Sequence, residues 1–285
     1  MFFRYPGGKR KLTSQIMPTI EKLHKERSGN GYSEPFFGGG AVGIEFMKNR
    51  NEIDSISIND KDIGLSCLWT CVIKYPEELK RKILRFKPSI DGYYAAKIKL
   101  LAVEERDEDN AFCLQYGFMK LAIHQISYSG LGTKSGGPLG GKEQKSKCKI
   151  DSRWSPLTIC KKIDALHAMF ASKSIAKNSC TCLDFEEVIA RQDSNTLMYL
   201  DPPYYAKGNA LYQHGFLEED HRRLANLLND SNAPWVLSYD DCETIRELYE
   251  WANIQVVEAD YSIANTAKQR ADRQREKRQE LIICR

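Results

Sequence analysis

The stretch SEPFFGGGAVGIEF, Ser33 to Phe46, runs from a short strand-forming segment through three consecutive glycines into a helix-forming run. Glycines strip side-chain bulk from a turn, and the N-terminus of the following helix offers unpaired N–H groups to a carboxylate or phosphate. The spacing of Gly38, Gly39, Gly40 and Gly43 is not the Gly-x-Gly-x-x-Gly dinucleotide fingerprint, and a plain tight strand-to-helix turn explains the same residues. Further strand-like runs are YSE (32–34), SISIN (55–59), TLMYL (196–200), WVLSY (235–239), IQVVEA (254–259) and LIIC (281–284). Between several of them, helical periodicity fills about 11–25, 41–49, 217–229 and 242–252. Alternating strands and helices predict an α/β fold with a mainly parallel sheet covered on both faces. The last two strands have no helix between them, which predicts an antiparallel hairpin at one sheet edge.

From about 62 to 180 helical patterns dominate: DIGLSCLWTCVIKY, PEELKRKILRF and NAFCLQYGFMKLAIHQIS, followed by a Gly/Lys-rich segment. This reads as a helical insertion in an α/β core, dividing the chain into 1–61 with 181–285 and the insertion 62–180. No run reaches the roughly 18 apolar residues of a membrane helix, and the N-terminus lacks a signal-peptide pattern. The expectation is a cytoplasmic protein that does not enter membranes. The nine cysteines form no Cys-x-x-Cys pair and the five histidines show no ligand spacing, so neither disulfides nor a metal are expected. Net charge is only +4, but 133–149 carries five lysines against one acid and 268–278 six Lys/Arg against two acids. Such local excess is where a polyanion could bind; solvated charged loops are the bland alternative.

Two acids stand at predicted strand ends. Asp60, twenty residues beyond Gly40, is placed to accept hydrogen bonds from both hydroxyls of a ribose, although Asn59 or Asp60 could equally cap a helix. With the glycine turn it implies a nucleoside cofactor without a pyrophosphate. Asp201 follows TLMYL and opens DPPYY, where open α/β sheets bind ligands. Pro202 and Pro203 fix the backbone and remove two N–H donors. Asp201 and the Pro202 carbonyl thereby offer two acceptors, matching the two hydrogens of an exocyclic amine. Tyr204 adds a flat face on which a base can stack. At the N-terminus, Pro6-Gly7-Gly8 forces a turn that presents Tyr5 and Lys9.

The order of these clusters, RYPGGK, then EPFFGGGAV, a helical insertion and DPPY, resembles the DNA adenine methyltransferases of the Dam type. The likeness covers the core and the N-terminus, roughly half the chain. It implies a Rossmann-like class I methyltransferase fold and S-adenosylmethionine as methyl donor, with S-adenosylhomocysteine as product and no metal. It would place Tyr5 and Lys9 near the cofactor, Glu34, Phe36, Phe37, Gly38, Gly39 and Gly40 around its methionine part, and Asp60 on its ribose. Asp184 and Phe185, in CLDF, would meet its adenine, and Asp201 would lie beside both cofactor and target. The family's GGK usually follows Trp-Ala; here Tyr5-Pro6 stands instead. The insertion 62–180 would be the target-recognition region, with Tyr128, Lys134 and Arg153 as loose base-reading candidates.

The chemistry so implied is direct transfer to the N6 amine of an adenine flipped out of double-stranded DNA, with Asp201, Pro202 and Tyr204 at the reacting centre. The competing readings are an RNA amino-methyltransferase and a catalytically silent DNA-binding protein of the same fold. The recognition sequence, the biological setting and the choice between monomer and weak dimer stay open.

Overall fold

The computed structural model describes residues 3–5, 8–26, 29–48, 50, 52–175, 180–205, 215–260 and 277–285. Seven strands form one sheet: β1 (Gly31–Glu34), β2 (Ser55–Ile58), β3 (Ser174–Ile175), β4 (Thr196–Leu200), β5 (Trp235–Asp240), β6 (Asn253–Asp260) and β7 (Lys277–Cys284). Their spatial order is β3-β2-β1-β4-β5-β7-β6. β3 through β5 are parallel, and β7 is antiparallel to both neighbours, sliding between β5 and β6. The expected edge hairpin is therefore β6–β7, with its second strand inside the first. Ser174–Ile175 was not anticipated as a strand.

From β1 the chain builds outward through β2 and β3, then returns to lay β4 on the other side of β1. That reversal puts a crevice at the carboxyl ends of β1 and β4, the place where open α/β sheets take ligands. Along β4, Leu197 and Tyr199 enter one hydrophobic cluster while Met198 and Leu200 enter the other. The period of two means that both faces are dry.

On the first face lie α1 (Thr13–Glu26) and α2 (Ala41–Met47). α1 is held by a stripe of Thr13, Ile16, Ile20 and Leu23, one helical face. The opposite face is covered by α8 (Phe185–Ala190), α9 (Glu218–Asp230) and α10 (Glu243–Leu248). Between β2 and β3 come α3 (Ile63–Lys74), α4 (Pro76–Arg85), α5 (Ile90–Ala102), α6 (Asn110–Ile126) and α7 (Pro156–Ala171). Within this stretch, α3 is buried on every side from Ile63 to Ile73 and shares the core of the sheet. A smaller cluster of Tyr93, Leu100, Ile123, Ile126 and Ile150 supports the Gly/Lys-rich loop. That loop is pinned through Gln144, whose amide donates to the Leu139 carbonyl at 2.8 Å and accepts from the Ile150 amide at 2.7 Å.

Among the described residues no helix is long and apolar enough to cross a membrane, and no cluster of His, Cys, Asp or Glu could hold a metal. All nine cysteines are free.

Candidate active site

A cavity of about 450 Å³ opens at the carboxyl ends of β1 and β4. Its floor is the turn after β1. Gly38 and Gly40 have φ of +49° and +64°, a left-handed conformation that a side chain would strain. Space is equally short: a Cβ on Gly38 would lie 2.9 Å from the Tyr5 ring, and one on Gly40 2.8 Å from Phe37. The turn is held from outside the strand, because Trp69 of α3 donates its indole N–H to the Gly38 carbonyl at 2.8 Å. Glu34 ends β1 fully buried, accepting from the Tyr32 hydroxyl at 2.8 Å, and burial keeps its carboxyl well above the ordinary range.

At the end of β4, Asp201 is partly buried. Its Oδ1 accepts from Lys9 Nζ at 2.6 Å and from Ser238 Oγ at 3.2 Å. Ser238 in turn is 2.8 Å from the Tyr199 hydroxyl. Since a carboxylate only accepts, Ser238 must donate to it and accept from Tyr199. Among the described residues, no hydrogen bond reaches Asp201 Oδ2. Burial raises the Asp201 carboxyl above its ordinary range, while Lys9 and Ser238 pull it back. Lys9 Nζ also stands 4.3 Å from the centre of the Tyr204 ring. The Tyr204 hydroxyl donates to Glu280 Oε2 at 2.5 Å, which ties the ring to β7.

The end of β2 supplies a second acidic corner. Asp60 accepts from the Gly38 amide at 2.7 Å through Oδ2 and from the Asp62 amide at 2.9 Å through Oδ1. It thus fixes the glycine turn, and burial with neighbouring Asp62 raises its carboxyl to about 7. The helix cap is Asp62, not Asn59 or Asp60: its side chain accepts from the Leu65 amide at 3.0 Å, and it also pairs with buried Lys120 of α6. Asn59 instead stitches loops together, donating to the Pro35 and Leu183 carbonyls at 2.9 and 3.1 Å and accepting from the Leu183 amide at 2.8 Å. That link sets the approach of Asp184 and Phe185. His124 of α6 lines the cavity as a neutral ring, its basicity lowered to about 3 by burial and Lys120.

Across the cavity, Phe36 packs against Phe185 and Phe216 at 5.7 Å each. Asp184 caps α8 and pairs with Arg223 at 3.1 Å, and Arg223 stacks 4.5 Å from Phe185. The lining holds six carboxylates (Glu34, Asp60, Asp62, Asp184, Asp201 and Asp220) against four lysines. Lys9, Lys61 and Lys120 each lie against one of those acids. Acceptor oxygens at Asp60 and Asp201, lysines that lie against acids and several aromatic faces suit a nucleoside with hydroxyl groups. S-adenosylmethionine fits this donor set.

The cavity gathers the residues named from sequence as follows. Tyr5, Lys9, Glu34, Phe36, Phe37, Gly38, Gly39, Gly40, Asp60, Asp184, Phe185 and Asp201 all line it. Of the DPPY corner, Asp201 and Pro203 line the wall; Pro202 is buried, and Tyr204 lies off the lining with its ring 4.3 Å from Lys9 Nζ. Lys134 also lines the cavity, whereas Tyr128 and Arg153 are exposed. Most of the basic segment 268–278 lies outside the described residues, as do Pro6 and Gly7. Sequence reasoning missed Asn59 as a loop tie, Ser238, Glu280, Lys120 and His124. For Ser238 the available signal was a lone hydroxyl in an apolar strand that pairs beside TLMYL.

The family model described as D12 class N6 adenine-specific DNA methyltransferase matches residues 5–263. The chain is 24% identical over 285 residues to the Type II methyltransferase M.MjaIII of Methanocaldococcus jannaschii, covering 95% of each chain. It is 25% identical over 270 residues to the Type II methyltransferase M1.LlaDCHI of Lactococcus lactis, covering 90% of this chain and 87% of the relative. The Retron Ec67 DNA adenine methylase of Escherichia coli is 30% identical over 101 residues, about a third of each chain.

Proposed function

This chain belongs to the D12 class of N6 adenine-specific DNA methyltransferases, and from that premise we propose that the cavity between β1 and β4 is where donor and target amine meet. The observation that carries the reading is the placing of Asp201 on one continuous wall with the glycine turn and Asp60. The family implies S-adenosylmethionine, which when bound supplies an electrophilic sulfonium methyl and leaves as S-adenosylhomocysteine. Asp60 would accept from its ribose hydroxyls, Asp184 and Phe185 would meet its adenine, and Glu34 with Phe36 to Gly40 would surround its methionine part.

Asp201 and the Pro202 carbonyl take the two hydrogens of the N6 amine and aim the nitrogen lone pair into the cavity. The amine is a poor nucleophile because that lone pair is delocalised into the ring, so its orientation is most of what the protein can contribute. As positive charge grows on nitrogen, the bond to Asp201 strengthens. Burial raises this carboxyl above its ordinary range, which readies it to accept the proton the nitrogen then sheds. No metal is needed for any of these roles. An adenine stacked in a duplex cannot reach this depth, so the base must be extruded. Tyr204 then grips its face, worth about 1–3 kcal/mol per stacked base.

The region 62–180 supplies target recognition, and the exposed lysines of the 133–149 loop meet phosphates. The protein acts in the cytoplasm as a monomer or weak dimer. The test is nucleoside analysis after incubating the protein and methyl donor with duplex DNA or with ribosomal RNA. N6-methyladenine confined to the DNA, in one sequence context, is expected. Methylcytosine, or methyl groups mainly in the RNA, would overturn the reading.

A further inference from the structure

The N-terminal turn contributes more than a wall of the cavity. Lys9 opens a short 3-10 turn, Lys9–Lys11, and its carbonyl is held by the Leu12 amide at 2.8 Å and the Thr13 hydroxyl at 2.9 Å. The backbone behind the ammonium therefore has little freedom. Its side chain is only 2% exposed, so water does not compete for its three donors. It is directed at two members of the DPPY corner at once, Asp201 Oδ1 at 2.6 Å and the Tyr204 ring at 4.3 Å.

We propose that Lys9 is a positioning residue for methyl transfer: it clamps Oδ1 of Asp201 and one face of Tyr204, leaving Oδ2 turned to the target amine. The inference rests on the reading that Asp201 accepts from that amine. Without the clamp the carboxylate can rotate about its Cβ–Cγ bond, and the acceptor direction is lost. Tyr204 would also lose the charge that fixes its ring from one side, while its hydroxyl stays tied to Glu280 and its ring stays near Tyr239. Ser238 from β5 is the second donor on the same oxygen, so the clamp closes from two elements.

The groups around Asp201 leave Lys9 as its cationic neighbour among the described residues. Glu34 from β1 faces it with a carboxyl that burial holds far above the ordinary range. Tyr199 from its own strand and Tyr239 from β5 are phenols whose ionisation burial suppresses. Glu280 from β7 acts at one remove, through Tyr204. Burial favours the protonated form of Asp201, and Lys9 is the largest influence opposing it. Loss of the ammonium must therefore move the protonation of Asp201 to higher pH.

The test compares Lys9→Met and Lys9→Arg with the parent enzyme in single-turnover transfer to duplex DNA across pH, alongside calorimetric binding of S-adenosylmethionine. Lys9→Met is expected to slow transfer at neutral pH on the order of 10²-fold. The acid limb of its profile should rise by about 1–3 pH units. Lys9→Arg should recover part of the rate and most of the limb, and cofactor affinity should stay within a few-fold in both. A Met variant with the parent's pH profile overturns the proposal, as does one whose only defect is weak cofactor binding. If Lys9→Met does not fold, Ser238→Ala strips the other donor from the same oxygen; its acid limb must also rise, and an unmoved limb overturns the proposal. An Asp201→Ala arm separates the two claims. Full activity there sinks the reading of Asp201 itself, whereas an inert Lys9 beside an essential Asp201 sinks only the clamp.

Discussion

Asp60 fixes the glycine turn, and in the proposed function it also holds the donor's ribose. Each of its oxygens already accepts one backbone N–H, from Gly38 and from Asp62, and each keeps a lone pair for a ribose hydroxyl. Burial and the neighbouring Asp62 raise its carboxyl to about 7, so in the free protein it changes charge near neutrality. A folded-state value above the unfolded one means that ionising Asp60 opposes folding. Its contribution to stability is full below the ordinary carboxylate range and is lost as pH rises through about 7. Ligand binding has the opposite sign, since hydroxyl donors need the ionised form. Affinity for S-adenosylmethionine should weaken as pH falls through about 7, by at most about tenfold per pH unit. Calorimetry at several pH values checks this, and Asp60→Asn should flatten the dependence while weakening binding overall.

At the scale of elements, strands with a clean apolar pattern were legible because burial on both faces leaves a continuous hydrophobic run ended by a polar residue. TLMYL followed by Asp201 is such a case, whereas in SISIN followed by Asp60 the signal is alternation, with Ile56 and Ile58 buried and Ser55 exposed. β3 was not, since Ser174–Ile175 pairs over two residues and two residues carry no period. α5 escaped notice for a related reason: Tyr93 and Leu100 are its buried residues, too few to print a stripe. The partners of Asp201 and Tyr204 that escaped reading, Ser238 and Glu280, sit inside strands whose neighbours only the sheet order reveals. β7 inserts between β5 and β6, and that insertion brings buried Glu280 to the Tyr204 hydroxyl.

The loop after α6 shows how a segment can be legible in charge yet not in shape. Its lysines were plain in the sequence, whereas the Gln144 pins that fold it were not. Lys142, Lys145, Lys147 and Lys149 are all exposed. Changing these four to Gln should leave cofactor affinity unaltered and flatten the salt dependence of DNA binding. Every phosphate that goes unneutralised takes about 0.9 off the slope of log affinity against log salt. An unchanged slope would place this loop outside the DNA interface.

For the molecule as a whole, the reversal of strand order between β1 and β4 decides where chemistry can occur. It opens one crevice, and into it the N-terminal turn, the glycine turn, the end of β2 and the DPPY corner all converge. Lys9 and Asp201, 192 positions apart in the chain, meet there at 2.6 Å. The measurement that bears most directly on this account is single-turnover methyl transfer by Asp201→Ala, paired with its affinity for S-adenosylmethionine. The account predicts transfer reduced below detection while the variant still binds the cofactor and melts as a folded protein. Transfer at the parent's rate would contradict it, because the carboxylate at the head of β4 would then have no part in holding the amine.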